Sequence, residues 1–183
     1  MTTEDYKNET MEPVISEKKI YTGKYISLKV QTVEKSSGYT QREIITHPGT
    51  LCLILLTDEN KLVMNRIYRK AAETFSLEVL SRQVRASESY FDTIINEAQK
   101  NLGYEVIDLT PIYNNYASIN YSTEKVYTFI AKGKKIKDVV APFDVQILEV
   151  GLDELLDDKY SREIIDSKTV LAINYLKSNK HNF

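Results

Sequence analysis

Residues 50–57 read Thr-Leu-Cys-Leu-Ile-Leu-Leu-Thr, an uncharged and mainly apolar run between Pro48-Gly49 and the polar turn Asp58-Glu59-Asn60. A strand with one wet face alternates apolar and polar side chains, whereas a run of this kind belongs to a strand covered on both faces. Such a strand needs a layer above it and a layer below, so it dictates a layered domain. The neighbouring segments supply the layers. Ile26, Leu28 and Val30 alternate with Ser27, Lys29 and Gln31, the period of a half-buried strand. Ser36-Ser37-Gly38 is a turn signal, and 39–46 returns as the partner strand of a hairpin. Further strands are expected at 62–68, 75–80, 104–112, 125–131 and 145–150. Phe91, Ile94, Ile95, Ala98 and Leu102 share one face of a helix over 88–102, with Ser87 as its expected N-cap and Gly103 as its stop. A short helix is expected at 152–156 and a final one at 166–177. This order gives a mixed α/β or α+β chain, divided into a flexible tail (1–13), an N-terminal β-region (14–47) and a main domain (48–183).

Composition narrows the function classes. The 183 residues carry 24 Lys and Arg against 26 Asp and Glu, a formal charge of −2, so no overall field favours nucleic acid. A single cysteine, Cys52, excludes an intramolecular disulfide and any Cys-rich zinc site, and its place in the apolar run marks it as core filler. The two histidines, His47 and His181, lack metal-ligand spacing. The longest apolar stretch, Leu51 to Leu56, is far short of the ~20 residues a spanning helix requires. The acidic, polar start carries no secretory pattern, and a cytoplasmic protein that does not engage membranes is expected.

Chemistry concentrates in Arg66-Ile-Tyr-Arg-Lys-Ala-Ala-Glu-Thr-Phe-Ser-Leu-Glu78 and in residues 82–104. Together they resemble the Nudix hydrolases, in particular the ADP-ribose pyrophosphatases. In that subgroup an Arg-Gln-Tyr-Arg strand precedes Leu-Glu-hydrophobic-Pro-Ala-Gly and the box G-x(5)-E-x(7)-R-E-U-x-E-E-x-G-U, where U is bulky and apolar. Laid without gaps, the box puts Glu88, Glu97, Gly103 and Tyr104 on matching positions. The opening Gly is Arg82, the helix Arg is Asn96, and the last two glutamates are Lys100 and Asn101; Pro-Ala-Gly has become Leu80-Ser81-Arg82. The resemblance implies a Nudix α/β/α sandwich with a mixed sheet, preceded by a small antiparallel β-region. It also implies Mg²⁺ or Mn²⁺ as the cofactor of an active enzyme, a nucleotide-diphosphate substrate such as ADP-ribose, and a homodimer built around the N-terminal strands.

Hydrolysis of a diphosphate by the family route needs divalent cations, and hard cations are recruited by carboxylates. Positions 97, 100 and 101 share one helix face. In the family that face holds three carboxylates; here Glu97, Lys100 and Asn101 sum to zero formal charge, and Glu97 is expected to pair with Lys100. By resemblance, Glu97 takes the metal-ligand and catalytic position, and Glu124, in the loop Ser118-Ile-Asn-Tyr-Ser-Thr-Glu124, takes that of a general base. Arg66, Arg69, Glu78, Ser81, Lys100 and Ser118 take ligand-binding positions, while Tyr113, Tyr116 and Tyr121 are aromatic candidates for stacking on a base. For each of these the ordinary alternative is a solvated charge, a loop polar group or a core aromatic. Three readings follow. The first is a Nudix-fold protein with weakened or lost hydrolysis and retained nucleotide-diphosphate binding. The second is an active metal-dependent pyrophosphatase with relocated ligands drawn from Glu78, Glu88, Glu97 and Glu124. The third is a ligand-free interaction scaffold.

Overall fold

The structure, a computed structural model, describes residues 12–156 and 158–179. Most of the expected tail, residues 1–11, lies outside the described residues. The chain divides into two compact units: one takes the sequence up to Pro48 together with Ser118–Glu124, the other takes Gly49–Ala117 and continues from Lys125.

The first unit is an antiparallel meander of β1 (Val14–Thr22), β2 (Ser27–Lys35) and β3 (Gly38–Thr46). The β2–β3 register runs unbroken from Ser27 opposite Thr46 to Lys35 opposite Gly38, leaving Ser36-Ser37 as a two-residue loop. Gly38 has φ +118°, a conformation that suits glycine at this tight corner. The 118–124 segment attaches to β3 through Ile45 N–H on Tyr121 O (2.7 Å) and Thr123 N–H on Ile45 O (3.0 Å).

The second unit is built on six strands: β4 (Thr50–Leu56), β5 (Leu62–Arg69), β6 (Thr74–Gln83), β7 (Tyr104–Tyr116), β8 (Lys125–Lys135) and β9 (Val145–Val150). Their order is β7-β8-β4-β6-β5-β9, with β4 parallel to β8 and the other pairs antiparallel. All seven residues of β4 are buried, as the apolar run requires. Leu51, Leu53 and Leu55 pack with Ile94, Ala98 and Leu102 of the α1 region (α1 is Tyr90–Asn101). Cys52, Ile54 and Leu56 pack on the opposite face with Ala172, Ile173 and Leu176 of α3 (Ser167–Ser178). The result is the expected α/β/α sandwich around a mixed sheet. A 3₁₀ turn (Glu154–Leu156) stands where a short helix is expected, and the brief α2 (Asp158–Ser161) has no signature in the sequence pattern. Among the described residues no helix is long and apolar enough to cross a membrane.

Several boundaries differ from expectation for identifiable reasons. Ser87 does not cap α1, because its φ of +62° is left-handed; Ser89 is extended and its hydroxyl accepts from Asp92 N–H. β7 runs through Pro111 to Tyr116, which is tolerated because β7 is an edge strand and its register slips on both sides of that proline. Gly103 closes α1 at φ +81°, and a Cβ there would lie 2.2 Å from the carbonyl oxygen of Lys137, so this position admits glycine alone without rearrangement.

Candidate functional site

β5 and β6 bring Arg69 and Glu78 together. Glu78 is buried, and a buried carboxylate needs a partner. The guanidinium of Arg69 supplies it in a two-pronged contact, Nε on Oε1 at 2.7 Å and Nη2 on Oε2. This pair and Ser81 are shared by two clefts. One, of about 460 Å³, is also lined by Ser76, Arg82, Asp166 and Lys168. The other, of about 580 Å³, is lined by Asn65, Lys100, Asn101 and the apolar segment around Val140. Of the expected ligand-binding residues, Arg69, Glu78, Ser81 and Lys100 therefore meet in one cleft. The first cleft carries the cationic side chains Arg69, Arg82 and Lys168 against the acidic Glu78 and Asp166. Ser76 Oγ, on its wall, is buried with no hydrogen-bond partner among the described residues.

The outer edge of β6 explains how this wall is held. β4 pairs with β6 only from Leu80 to Gln83, so the earlier part of that edge has no strand neighbour. Leu77 N–H bonds to Glu163 O (2.9 Å), and Val79 N–H bonds to Thr169 Oγ1 (3.1 Å). Thr169 in turn donates its hydroxyl to Asp166 (2.9 Å), the residue that caps α3.

Glu97 is not paired with Lys100, as the helix spacing alone would have it. Its Oε1 lies 2.9 Å from Arg82 Nε, and its Oε2 accepts from Asn101 Nδ2. Arg82 also reaches Glu88 through Nη1, at 3.0 and 2.8 Å, while the backbone N–H of Arg85 donates to Glu88 at 2.6 Å. Burial pushes the Glu88 carboxyl up, but the Arg85 N–H and the Arg82 guanidinium outweigh it and hold it below the usual glutamate value. Lys100 is exposed in the last turn of α1, where a cation also complements the helix dipole. Among the described residues no group of three or more His, Cys, Asp or Glu is arranged to hold a metal ion. The divalent cation implied by resemblance prefers several oxygen donors. Here the two glutamates present are engaged by a guanidinium and an amide, so this donor set does not fit it.

The remaining candidates have other partners. Arg66 forms a two-pronged pair with Glu163 (2.6 and 2.8 Å) and lies 4.1 Å over the Phe75 ring, joining β5 to the segment after α2. Ser118 and Glu124 belong to the N-terminal unit. There Ser118 Oγ donates to Tyr121 OH (3.1 Å), and the Glu124 carboxylate lies 4.0 Å from His47 Nδ1. Tyr113 packs edge-on against Tyr175 at 5.6 Å, and Lys125 Nζ lies 5.2 Å from the Tyr116 ring centre. Cys52 is fully buried, and burial pushes its thiol up to about 12, consistent with a packing role. The residue that sequence reasoning undervalued is Arg82. Its signal was the exchange of a box glycine for arginine together with the loss of the helix arginine at Asn96.

No protein-family model matches the chain. It is 33% identical over 171 residues to a methanol dehydrogenase activator of Bacillus methanolicus, covering 91% of this chain and 92% of that protein. Over the same spans it is also 33% identical to the ADP-ribose pyrophosphatase of Bacillus subtilis strain 168. A crystal structure described as an ADP compounds hydrolase superposes with a TM-score of 0.75 over 92% of this chain and 96% of that one; at 15% identity this establishes the fold alone. With the box register, the sandwich and these near full-length relatives agreeing, the chain belongs to the Nudix family, in its ADP-ribose pyrophosphatase-like branch.

Proposed function

We propose that this protein binds a nucleoside diphosphate compound of the ADP-ribose kind in the clefts flanking Arg69 and Glu78, and that its hydrolysis of that compound is weak or absent. The observation that carries this reading is the engagement of Glu97 by Arg82 and Asn101, which leaves the helix face without free carboxylates. The similarity to the ADP-ribose pyrophosphatase of Bacillus subtilis supports the ligand class. Arg69, Lys100 and the cleft-lining Lys168 supply cationic groups suited to a diphosphate, because charge-assisted hydrogen bonds to phosphate oxygens are strong and directional. On this reading Arg69 exchanges one of its contacts to Glu78 for a phosphate oxygen, and Lys100 contributes an exposed point charge. Glu124 as general base and Ser118 as a ligand contact are part of the same proposal and rest on the family resemblance alone. A cytoplasmic homodimer is part of the same proposal, and light scattering of the purified protein tests the dimer.

Chromatographic measurement of AMP release from ADP-ribose, with millimolar Mg²⁺ or Mn²⁺, tests the central claim. Little or no AMP is expected, while calorimetric titration of ADP-ribose shows binding that survives EDTA and weakens with salt. Rapid AMP production that vanishes in Glu97→Gln would instead support the active, metal-dependent reading. Absence of binding with and without EDTA would support the scaffold reading.

A further inference from the structure

We infer that Arg82 is a built-in counter-cation. It occupies the electrostatic place of a divalent ion between Glu88 and Glu97, so that this helix face is closed to metal and opens to it only when the guanidinium is removed. The inference concerns the site of the proposed function but uses no nucleotide, so the two can fail separately.

Three features of the arrangement carry it. First, one guanidinium spans both carboxylates. Nη1 meets the two oxygens of Glu88 at 3.0 and 2.8 Å, and Nε meets Glu97 at 2.9 Å. Two carboxylates gathered around a single cationic centre repel one another unless that charge is present. Second, the cluster is largely withdrawn from water, with side-chain exposures of 13% for Arg82, 17% for Glu88 and 23% for Glu97. An ion entering from solvent would have to displace the guanidinium and leave it poorly solvated and unpaired, which is unfavourable. Third, the partners are held by the fold. Arg82 sits on β6 opposite Leu51 of β4, Glu97 lies on α1 between the buried Ile94 and Ala98, and Glu88 is held by the N–H of Arg85. The carboxylates therefore stay near each other when the arginine is shortened, and the vacated space is bounded by oxygens. Asn101, which donates to Glu97, can turn its amide to present its carbonyl oxygen instead.

The test is thermal denaturation of the full chain in EDTA and in millimolar Mn²⁺ or Mg²⁺, with Mn²⁺ binding followed by electron paramagnetic resonance. The wild-type melting temperature should be the same in EDTA and in either cation, and no Mn²⁺ should be immobilised. Arg82→Ala should melt lower by about 5 °C or more in EDTA, recover at least half of that loss in saturating Mn²⁺, and immobilise the ion. The double variant Arg82→Ala with Glu97→Gln should lose the Mn²⁺ response. Should Arg82→Ala fold only when Mn²⁺ is supplied, the inference stands. Stoichiometric Mn²⁺ binding by the wild type, a single variant indifferent to Mn²⁺, or one that fails to fold with and without the ion would each overturn it.

Discussion

Thr169 offers a sharp test of how the wall of the clefts is held. Its side chain is fully buried; Oγ1 accepts from Val79 N–H at 3.1 Å and donates to Asp166 at 2.9 Å. Val79 follows Glu78 directly, so this bond fixes the backbone that carries the buried carboxylate. Thr169→Val keeps the volume and removes both hydrogen bonds, leaving Val79 N–H in a buried place with no acceptor. An unsatisfied buried donor together with the lost bond to a charged acceptor costs about 3 kcal/mol. For a chain of this size that corresponds to a fall in melting temperature of about 6–12 °C. Thr169→Ser keeps both bonds and loses one methyl, a cost of about 1 kcal/mol. Urea denaturation of wild type and both variants, analysed with a common slope, reads the difference. The valine variant should be the less stable by about 2 kcal/mol. If the serine variant is as unstable as the valine variant, packing rather than hydrogen bonding holds this edge of β6, and the reasoning fails.

Two further outcomes are expected. Gly103→Ala should destabilise the chain by about 2 kcal/mol or more in thermal denaturation, since the new Cβ would lie 2.2 Å from Lys137 O at φ +81°; a neutral effect would mean that the 137 segment yields freely. Because the Glu88 carboxyl is held below its ordinary value of 4.5, its stabilising contribution is present above that value and is lost as pH falls through the lowered one. The stability gap between wild type and Glu88→Gln should therefore be widest near neutrality and close in acid, and a gap that widens toward acid would contradict the assigned partners.

Elements with a strong local period were legible in the sequence. The apolar run of β4 required cover on two faces, and the structure places α1 on the Leu51, Leu53 and Leu55 side and α3 on the Cys52, Ile54 and Leu56 side. The α1 stripe and Gly103 were readable for the same reason: helix period and positive φ are properties of residues a few positions apart. Strand ends were less legible, because β6, β7 and β8 extend only as far as their neighbours offer hydrogen bonds, which no local pattern records.

The candidate site divides in the same way. The residue types at Arg69, Glu78, Glu88 and Glu97, and their register within the box, are sequence properties, as is the neutral sum of charges on the 97, 100 and 101 face. Which cation answers which carboxylate was decided by tertiary structure. Helix spacing favours Lys100 for Glu97, yet Arg82 from a neighbouring strand arrives with better geometry, and Lys100 stays in solvent. Arg66 is engaged by Glu163, ninety-seven positions away, and Arg69 by the buried Glu78. A partly buried carboxylate takes the cation that the packed backbone delivers to within about 3 Å, because desolvation makes an unpaired charge costly. Sequence separation has no part in that choice.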